Sequence, residues 1–434
     1  MRFVSTGGSA PAADLRTVLV EGLAPDGGLY LPERWPAPDG DFLARLRDAS
    51  LVEVAERVTA PFLAEIPPAD RRALIESALD FPIPLARLQP SVSVLELFHG
   101  PTLAFKDVGA RFLARLLVYL LAGEDRPLTV LVATSGDTGS AVAQAFLGLP
   151  RTRVVILFPE GKVSPLQERQ FTTLGENIEA LAVDGTFDDC QRLVKAIFAD
   201  EDLRRRLLLT SANSINFGRL LPQVIYYFHA AAQLPPGAPP PLFSVPSGNF
   251  GNLTAGLIAQ RLGLATAGFV AATNANDVVP AYLETGRFEP RPSVPTLSNA
   301  MDVGDPSNFD RIQALYGSDR QALQRDLTGA RFTDDETRAA IAQVAEQTGT
   351  ILDPHTAVGY LALEQTLARR TEPASGIVLA TAHPAKFRDG LKPVLGREIR
   401  LPNRLAACLE RERRSKRVPA EVEAVREVVE GLER

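Results

Sequence analysis

The sequence predicts an α/β fold with two parallel-sheet domains, a ligand cleft between them, and a mostly helical region in front. Short apolar runs alternate with amphipathic helical patterns after the proline-rich stretch 81–90. This order is typical of parallel sheets with helices on both faces. The runs are numerous enough for two sheets, and the proline-rich segment 235–241 (PPGAPPP) separates two large blocks as a surface connector would.

The predicted elements follow from these patterns in chain order. The first part of the chain is mostly helical, as in the segment 42–63. Alternating apolar runs then predict strands at 128–134, 153–158, 178–183, 241–246, 267–273 and 376–382. The proline-rich boundaries divide the chain into an N-terminal region at 1–88, an α/β domain at 89–234 and a second α/β domain at 235–434.

Composition excludes several classes of function. The 434 residues include 46 Lys and Arg against 52 Asp and Glu, a net charge of −6, so a basic nucleic-acid footprint is missing. The two cysteines, Cys190 and Cys408, form no paired motif, which argues against disulfide frameworks and bound metal. The start of the sequence has no apolar signal core, and no apolar run could span a bilayer. We therefore expect a cytoplasmic protein that binds neither nucleic acid nor membranes.

Three loops that follow predicted strands have unusual sequences. They are TSGDTGS at 134–140, PSGNFGN at 246–252 and TAHPAKF at 381–387. Ligands of parallel sheets bind at the carboxyl ends of strands, and glycine lets backbone amides approach an anion at a helix N-terminus. Either glycine-rich loop alone is better explained as an ordinary capped turn. Two loops of similar form in two separate blocks favour one ligand held between them.

The segment 96–117 (ELFHGPTLAFKDVGARFLARLL) indicates which ligand this is. Lys106 follows an apolar pair at the predicted start of a long amphipathic helix. Most lysines are solvated surface charges. Burial near a helix N-terminus, however, lowers the proton affinity of an amine, and an imine requires a neutral amine. Pyridoxal phosphate carries both an aldehyde for such a lysine and a phosphate for a glycine-rich loop.

Other ligands fit these residues less well. TSGDTGS and Glu160, at the end of the next predicted strand, have about the spacing of a dinucleotide site. The G-x-G-x-x-G order is absent, however, Asp137 would face the pyrophosphate, and a nicotinamide dehydrogenase would leave Lys106 unexplained. The P-loop sequence is also missing. A non-catalytic binding protein of the same fold is disfavoured because the lysine and both loops are present.

Several segments together closely resemble the threonine synthase family, in its longer microbial and fungal form with the tryptophan-synthase-β-like fold. They are LFHGPTLAFKD, TSGDTG, GKVSPLQ, SANSIN, VPSGNFGN, TLSNAMDVG and TAHPAKF. The resemblance covers nearly the whole chain in collinear order and includes GLAPDGGLYLPE near the start. The family often has STRG where this chain has STGG at 5–8, so no role is assigned to Gly7.

The resemblance implies pyridoxal phosphate and the residues that bind it. Lys106 matches the lysine that forms the imine, and Thr381 matches the residue whose hydroxyl faces the pyridine nitrogen. Asp137 stands where many relatives have Asn beside the phenolic oxygen, and a carboxylate there must be protonated or balanced by a cation. The residues implied for the cofactor phosphate are Gly248, Asn249, Phe250, Gly251 and Asn252.

The resemblance also implies a reaction, in which O-phospho-L-homoserine and water give L-threonine and phosphate. Ser135 and Thr138 match residues that hold the substrate carboxylate. The residues implied for the substrate phosphate are Ser214, Asn216 and Arg219, with Lys162 as a weaker candidate. A related pyridoxal-phosphate lyase, which would release an oxo acid and ammonia from a phosphorylated hydroxy-amino acid, would retain every one of these motifs. We expect a monomer or a homodimer.

Overall fold

The computed structural model describes residues 1–37 and 39–431. The first 96 residues form a two-stranded sheet, four helices and a strand hairpin: β1 (Phe3–Ser5), α1 (Leu15–Glu21), β2 (Tyr30–Pro32), α2 (Gly40–Ala44), α3 (Leu51–Thr59), α4 (Pro68–Ala78), β3 (Leu85–Gln89) and β4 (Val92–Glu96). The next group alternates helices and strands: α5 (Lys106–Leu120), β5 (Leu128–Ala133), α6 (Asp137–Phe146), β6 (Thr152–Pro159), α7 (Pro165–Thr172), β7 (Ile178–Asp184), α8 (Phe187–Ala199), α9 (Glu201–Arg206), β8 (Leu208–Ser211) and α10 (Phe217–Ala232).

The remaining elements again alternate between strands and helices. They are β9 (Pro241–Pro246), α11 (Gly251–Arg261), β10 (Gly268–Thr273), α12 (Val278–Thr285), α13 (Phe309–Tyr316), α14 (Arg320–Asp326), β11 (Leu327–Arg331), α15 (Asp334–Thr348), α16 (Pro354–Arg369), β12 (Ser375–Ala380), α17 (Arg388–Leu395), α18 (Asn403–Glu410), β13 (Lys416–Pro419) and α19 (Val422–Gly431). Three short 3-10 helices lie at Leu46–Asp48, Asn299–Met301 and Pro384–Phe387.

Two parallel sheets form the body of the molecule. The five-stranded sheet has the order β13-β7-β6-β5-β8, and all its pairs are parallel. The six-stranded sheet has the order β11-β10-β9-β12-β4-β3, in which only the β3–β4 pair is antiparallel. All residues of β5, β9 and β10 are buried, as expected for strands covered on both faces. The predicted α/β class is confirmed, and all six predicted strands are present.

Strand pairing does not follow the predicted contiguous domains. β4 lies in the predicted segment 89–234, yet it pairs with β12 in the six-stranded sheet. β13 lies in the predicted segment 235–434, whose last three residues are outside the described part, yet it pairs with β7 in the five-stranded sheet. The chain therefore enters the six-stranded sheet before building the five-stranded one, and its C-terminal segment returns to the latter. A division at proline-rich boundaries cannot detect such returns.

The helices begin where the sequence supplies caps. Ser50 and Glu53 form a reciprocal capping box at the start of α3, and Thr333 and Glu336 do the same for α15. The longest helices, α10 and α16, have 16 residues each. Within the described residues, no helix has both the length and the apolar character needed to cross a membrane.

Candidate active site

Lys106 is positioned by a short backbone pairing between two predicted site segments. The Phe105 amide donates to the Thr381 carbonyl at 2.8 Å, and the His383 amide donates to the Leu103 carbonyl at 3.0 Å. Helix α5 then begins at Lys106 itself. The lysine therefore lies beside the end of β12, where Thr381 is buried with 7% of its surface exposed. Sequence positions almost three hundred residues apart thus form one local site.

The environment of Lys106 favours the neutral amine. Burial lowers the pKa of Lys106, Asp137 opposes this effect, and the cations Arg219 and Lys386 lower the pKa further. An amine with a lowered pKa is the form needed for attack on an aldehyde. The structure therefore provides the physical condition that a reactive lysine requires.

Asp137 is balanced by a lysine that the sequence analysis did not single out. Lys386 Nζ lies 2.6 Å from Asp137 Oδ1, and its side chain is fully buried. Gln167 Nε2 also donates to Asp137 Oδ1, at 2.8 Å. Burial alone would raise the pKa of Asp137, but Lys386 and Lys106 outweigh it and hold the pKa well below its usual range. The carboxylate is therefore ionised and balanced by a cation, which is one of the two states considered from the sequence.

Asp107, the residue after Lys106, fixes the turn that precedes α5. Its two carboxylate oxygens accept from the Thr102 amide and the Thr102 hydroxyl, both at 2.8 Å. Burial raises the pKa of Asp107 to about 6, although the hydrogen bonds from Thr102 oppose the increase. The Thr102 carbonyl in turn accepts from Lys386 Nζ at 2.9 Å and Gln170 Nε2 at 3.0 Å. One buried hydrogen-bond network thus joins Asp107 to Lys386.

The SGNFGN loop forms an open helix N-terminus. Phe250 has a left-handed backbone with φ of 60°, and α11 starts at Gly251 without a capping side chain. The first amides of a helix have no acceptor within the helix, so they are free to bind an anion. Asn252 Oδ1 accepts from Tyr226 and Tyr227, while its buried Nδ2 has no partner among the described residues. This loop therefore offers backbone amides and a free amide donor.

Ser214 and Asn249 join the SANSIN segment to the SGNFGN loop. Asn249 Nδ2 donates to Ser214 Oγ at 2.8 Å, and Asn249 Oδ1 accepts from Ser307 at 3.0 Å. Ser214 is one of the residues predicted for the substrate phosphate, and the structure places its hydroxyl against the SGNFGN loop. Its neighbour Asn216 caps α10 and donates to the Leu19 carbonyl at 2.8 Å. Asn216 is fully buried and engaged by these bonds, and its assignment to the substrate phosphate stays a prediction from sequence.

Arg219 is a buried cation near the reactive lysine. It is 3% exposed, donates to the Ala212 carbonyl, and has an Nε without a partner within the described residues. A Cβ atom on Gly109, in the first turn of α5, would lie 3.0 Å from this Nε, so α5 and α10 pack closely here. Burial lowers the pKa of Arg219 to about 10, which still leaves it charged at neutral pH.

The other predicted substrate residues lie at the surface or its edge. Ser135 is exposed and Thr138 is half-buried in the loop between β5 and α6. That loop is tied by Thr134 Oγ1, which accepts from the Gly136 and Gly139 amides at 3.0 and 2.8 Å. Lys162 is exposed in the turn after β6. No contact joins Lys162 to the network around Asp137, so its assignment remains a prediction from sequence.

Glu160, the acid of the dinucleotide alternative, is engaged elsewhere. Arg413 Nη2 lies 2.7 Å from Glu160 Oε2 in an ion pair with the C-terminal segment. A surface carboxylate bound to an arginine does not match the ribose-binding acid expected of a nicotinamide site. Within the described residues, no group of three or more His, Cys, Asp or Glu side chains is arranged to hold a metal ion.

Two further buried residues support the site without having been predicted. Arg311 on α13 donates to the carbonyls of Tyr30 and Ile215, at 3.2 and 2.6 Å, and so joins the N-terminal region to the Ser214 loop. His355 accepts from the Ala300 amide through Nε2 at 3.1 Å and pairs with Asp353 through Nδ1 at 2.8 Å. These contacts hold the segment that packs against Gly248. Their signal in the sequence is weak because isolated Arg and His residues are usually structural.

Comparison with known proteins places this geometry in a family. Residues 82–382 match a model described as pyridoxal-phosphate dependent enzyme, which defines the class of protein. Residues 2–79 match threonine synthase N terminus, and residues 356–429 match threonine synthase, C-terminal. The threonine synthase of Serratia marcescens is 47% identical over 415 residues, covering 95% of each chain.

Solved structures agree with the sequence matches. The crystal structure of threonine synthase from Escherichia coli has a TM-score of 0.92 at 42% identity and covers 100% of both chains. A structure of pyridoxal-phosphate-bound threonine synthase from Brucella melitensis has a TM-score of 0.92 at 41% identity and covers 99% of both. The chain belongs to the threonine synthase family.

The residues present fit pyridoxal phosphate. The uncapped N-terminus of α11 and the unpaired Asn252 Nδ2 supply donors for a phosphate. Lys106 has the lowered pKa that an aldehyde-binding lysine needs, and Lys386 and Asp137 form a balanced pair beside it. The comparisons and these contacts together establish pyridoxal phosphate as the cofactor.

The two glycines of the SGNFGN loop are expected to respond differently to substitution. In Gly248→Ala, the new Cβ would lie 2.7 Å from Met301 Cα and 2.8 Å from the Ala300 carbonyl, both of which are backbone atoms. Overpacking of this kind costs about 1–3 kcal/mol, so thermal unfolding of the apoprotein should occur at a lower temperature. In Gly251→Ala the nearest atom is Asn308 Nδ2 at 3.4 Å, so apoprotein stability should change little.

Titration of the apoproteins with pyridoxal phosphate compares the cofactor affinities of the two glycine variants. We expect Gly251→Ala to weaken pyridoxal-phosphate affinity, because its methyl group stands where backbone amides would approach the phosphate. An apoprotein of Gly248→Ala that melts like the wild type, or a Gly251→Ala protein with unchanged cofactor affinity, would contradict this account of the loop.

Proposed function

We propose that this threonine synthase family member converts O-phospho-L-homoserine and water to L-threonine and phosphate. The observation that carries the proposal is the buried cluster in which Lys106 lies beside Thr381, the Lys386–Asp137 pair and Arg219. This cluster combines an amine of lowered pKa, suited to proton transfer, with a buried cation suited to an anionic leaving group.

Lys106 is proposed to move the protons at Cα. Pyridoxal phosphate, when bound, supplies a ring that delocalises the negative charge developed at Cα. Lys106, as an amine no longer bonded to the cofactor, would be able to take the Cα proton of the bound substrate and later return it. The lowered pKa of Lys106 favours the neutral form that accepts a proton. None of the four histidines is needed as the base.

Asp137 and Thr381 are proposed to orient the cofactor. In this proposal Asp137 faces the phenolic oxygen, where Lys386 and Gln167 fix the position of its carboxylate. Thr381 presents its hydroxyl to the pyridine nitrogen. A hydroxyl does not hold that nitrogen protonated as a carboxylate would, so the electron demand of the ring is moderate.

In the proposed reaction, the phosphate group is lost from Cγ and a hydroxyl group is gained at Cβ. A proton leaves Cβ as the Cγ–O bond breaks and inorganic phosphate departs. The hydroxyl group of water then adds at Cβ, and protons are returned to the carbon chain to give threonine. After phosphate has left, release of the unsaturated amino acid before the hydroxyl group adds at Cβ would give 2-oxobutyrate and ammonia on hydrolysis, so controlled access of water is part of the function.

Arg219 is proposed to bind the leaving phosphate, which gives a testable prediction. A charge-assisted hydrogen bond of this kind contributes about 1.5–3 kcal/mol, so Arg219→Leu should lower kcat/KM for O-phosphohomoserine by at least about tenfold. Arg219→Lys should recover part of the loss, because a point charge does not reproduce the planar fork of donors. Steady-state kinetics on both variants provide the measurement.

A substrate without a phosphate separates this role from a structural one. Turnover of vinylglycine, which lacks the phosphate, should fall far less than turnover of O-phosphohomoserine in Arg219→Leu. Absorbance of the lysine-bound cofactor should persist in the same variant. Equal losses on both substrates would mean that Arg219 supports the fold, and the phosphate site would have to lie elsewhere, with Lys162 as the next candidate.

Product analysis tests the proposed function directly. The purified holoenzyme is incubated with O-phosphohomoserine, and phosphate, threonine, 2-oxobutyrate and ammonia are all quantified. The proposal requires equal amounts of threonine and phosphate. Phosphate accompanied mainly by an oxo acid and ammonia would instead identify a phospho-lyase with the same site.

A further inference from the structure

Helix α7 lies between the cofactor site and the C-terminal segment. On its inner side, Gln167 donates to Asp137 Oδ1 at 2.8 Å, and Gln170 donates to the Thr102 carbonyl at 3.0 Å. These two glutamines are 2% and 5% exposed. The position of α7 therefore determines the hydrogen bonds that reach Asp137 and the turn before Lys106.

The outer side of α7 is held by residues 411–414. Arg413 Nε lies 2.7 Å from Glu168 Oε1 on the helix, and Arg413 Nη2 lies 2.7 Å from Glu160 Oε2, just after β6. Arg169 donates to the Arg411 carbonyl at 2.7 Å, and the Arg414 amide donates to the Thr172 carbonyl at 2.6 Å. The segment thus contacts α7 at its middle and at its C-terminal end.

We propose that Arg413 is a positioning residue for the cofactor site, acting on Asp137 through α7 and Gln167. Its planar guanidinium binds one carboxylate on the helix and one on the strand end that precedes it, so it fixes the distance between them. No motif was found in the sequence of the C-terminal segment. The proposal gives this segment a role in positioning α7 beside the cofactor site.

The positive charge of Arg413 offsets the repulsion between two neighbouring carboxylates, those of Glu168 and Glu160. Burial raises the pKa of Glu168, and Glu160 raises it further, whereas Arg413 lowers it. Without Arg413, the two carboxylates would repel each other across the turn that connects β6 to α7. We expect this repulsion to move the start of α7, while the contacts of Arg169 and Thr172 with residues 411 and 414 still hold its end, and so to lengthen the hydrogen bond from Gln167 to Asp137.

The chain offers a matched control in the same segment. Arg417 on β13 forms an ion pair of the same length, 2.7 Å, with Asp184. Its side chain is 72% exposed and does not touch α7, whereas that of Arg413 is 37% exposed. Arg413→Ala and Arg417→Ala therefore each remove one arginine from the C-terminal segment, but only the first removes a contact to α7.

A double-variant cycle tests the proposed route. We expect Arg413→Ala to lower kcat roughly tenfold, with KM changing less, because small misplacements of a catalytic arrangement have effects of this order or larger. Arg413→Lys should recover part of the loss, and Arg417→Ala should match the wild type. Adding Arg413→Ala to Gln167→Ala should lower kcat little further, because the route is already broken.

The cofactor spectrum provides a readout without substrate. The pH dependence of cofactor absorbance in the Arg413→Ala holoenzyme should shift in the same direction as in Gln167→Ala, while the Arg417→Ala spectrum should remain that of the wild type. This arm does not use O-phosphohomoserine, so its failure is distinct from a failure of the proposed function. The proposal would be overturned if the loss of kcat in the double variant equalled the product of the losses in Arg413→Ala and Gln167→Ala. An unchanged spectrum in the Arg413→Ala holoenzyme would also overturn it.

Discussion

Lys106→Ala is expected to abolish measurable turnover while leaving the protein folded. Removal of a group that both holds the cofactor aldehyde and transfers the Cα proton forfeits at least the factor of about 10²–10⁴ typical of general acid–base catalysis. The neighbours Ala104 and Val108, which are fully buried, remain in place and continue to support the start of α5. Threonine formation and the absorbance of lysine-bound cofactor are the quantities to measure.

A surface lysine supplies the control for Lys106. Lys195 is exposed on α8, so Lys195→Ala should retain wild-type turnover and a cofactor adduct that borohydride can reduce. Lys106→Ala should show neither, although its thermal unfolding should stay close to that of the wild-type apoprotein. A Lys106→Ala protein that keeps the reducible adduct and full turnover would show that another lysine holds the cofactor.

The repeating pattern of strands and helices could be predicted from sequence because it depends on local periodicity. The runs that became β5, β9 and β10 are apolar apart from one Ser or Thr in each, as expected for strands buried on both faces. β3 and β13 were not predicted, since β3 is only half-buried and β13 is mostly exposed with two charged residues, so neither gives such a signal. Their pairing depends on contacts with distant parts of the chain, and these leave no periodic pattern.

A candidate site could be located in the sequence where a motif combines glycine with a reactive side chain, as at Lys106 and in the SGNFGN loop, and the roles of these residues stay predictions. Lys386 lies inside the recognised TAHPAKF segment, but nothing in that segment shows that its side chain reaches Asp137. Residues 103–105 bond to residues 381–383 beyond the ends of the adjacent strands β4 and β12, and the Lys386–Asp137 pair then links this segment to the start of α6. Asn216 shows why such assignments are difficult from sequence, since a helix cap and a phosphate ligand look the same there.

Lys386→Met is expected to destabilise the protein and to raise the pH needed for activity. Removing one partner of a buried ion pair costs about 3–5 kcal/mol, because the remaining charge is left without compensation. Lys386 is also one of the cations that lower the pKa of Lys106, so its loss should raise that pKa and move the pH optimum of turnover upward. Denaturant unfolding and a pH–rate profile measure the two effects.

The pH dependence of stability should identify charge as the cause. Against the effect of burial, Lys386 and Lys106 lower the pKa of Asp137 in the folded protein, so this group contributes stability above its unfolded pKa of about 3.9. That contribution is lost as the pH falls through the folded-state pKa. In Lys386→Met the pKa of Asp137 rises, so the carboxylate takes up a proton in mild acid. The difference in unfolding free energy from wild type should therefore be largest near neutral pH and smaller in acid.

Removal of both charges distinguishes electrostatics from packing. The double variant Lys386→Met with Asp137→Asn keeps the shapes of both side chains nearly intact and leaves no uncompensated charge, so it should regain much of the lost stability. Gln167 can still hydrogen-bond to the oxygen of the asparagine, which preserves the approach of α7 to the site. If the double variant is as unstable as Lys386→Met alone, the contribution of Lys386 comes from filling space and from its bond to the Thr102 carbonyl. Because Asp137 raises the pKa of Lys106, its neutralisation should also move the pH optimum of the double variant back down from that of Lys386→Met.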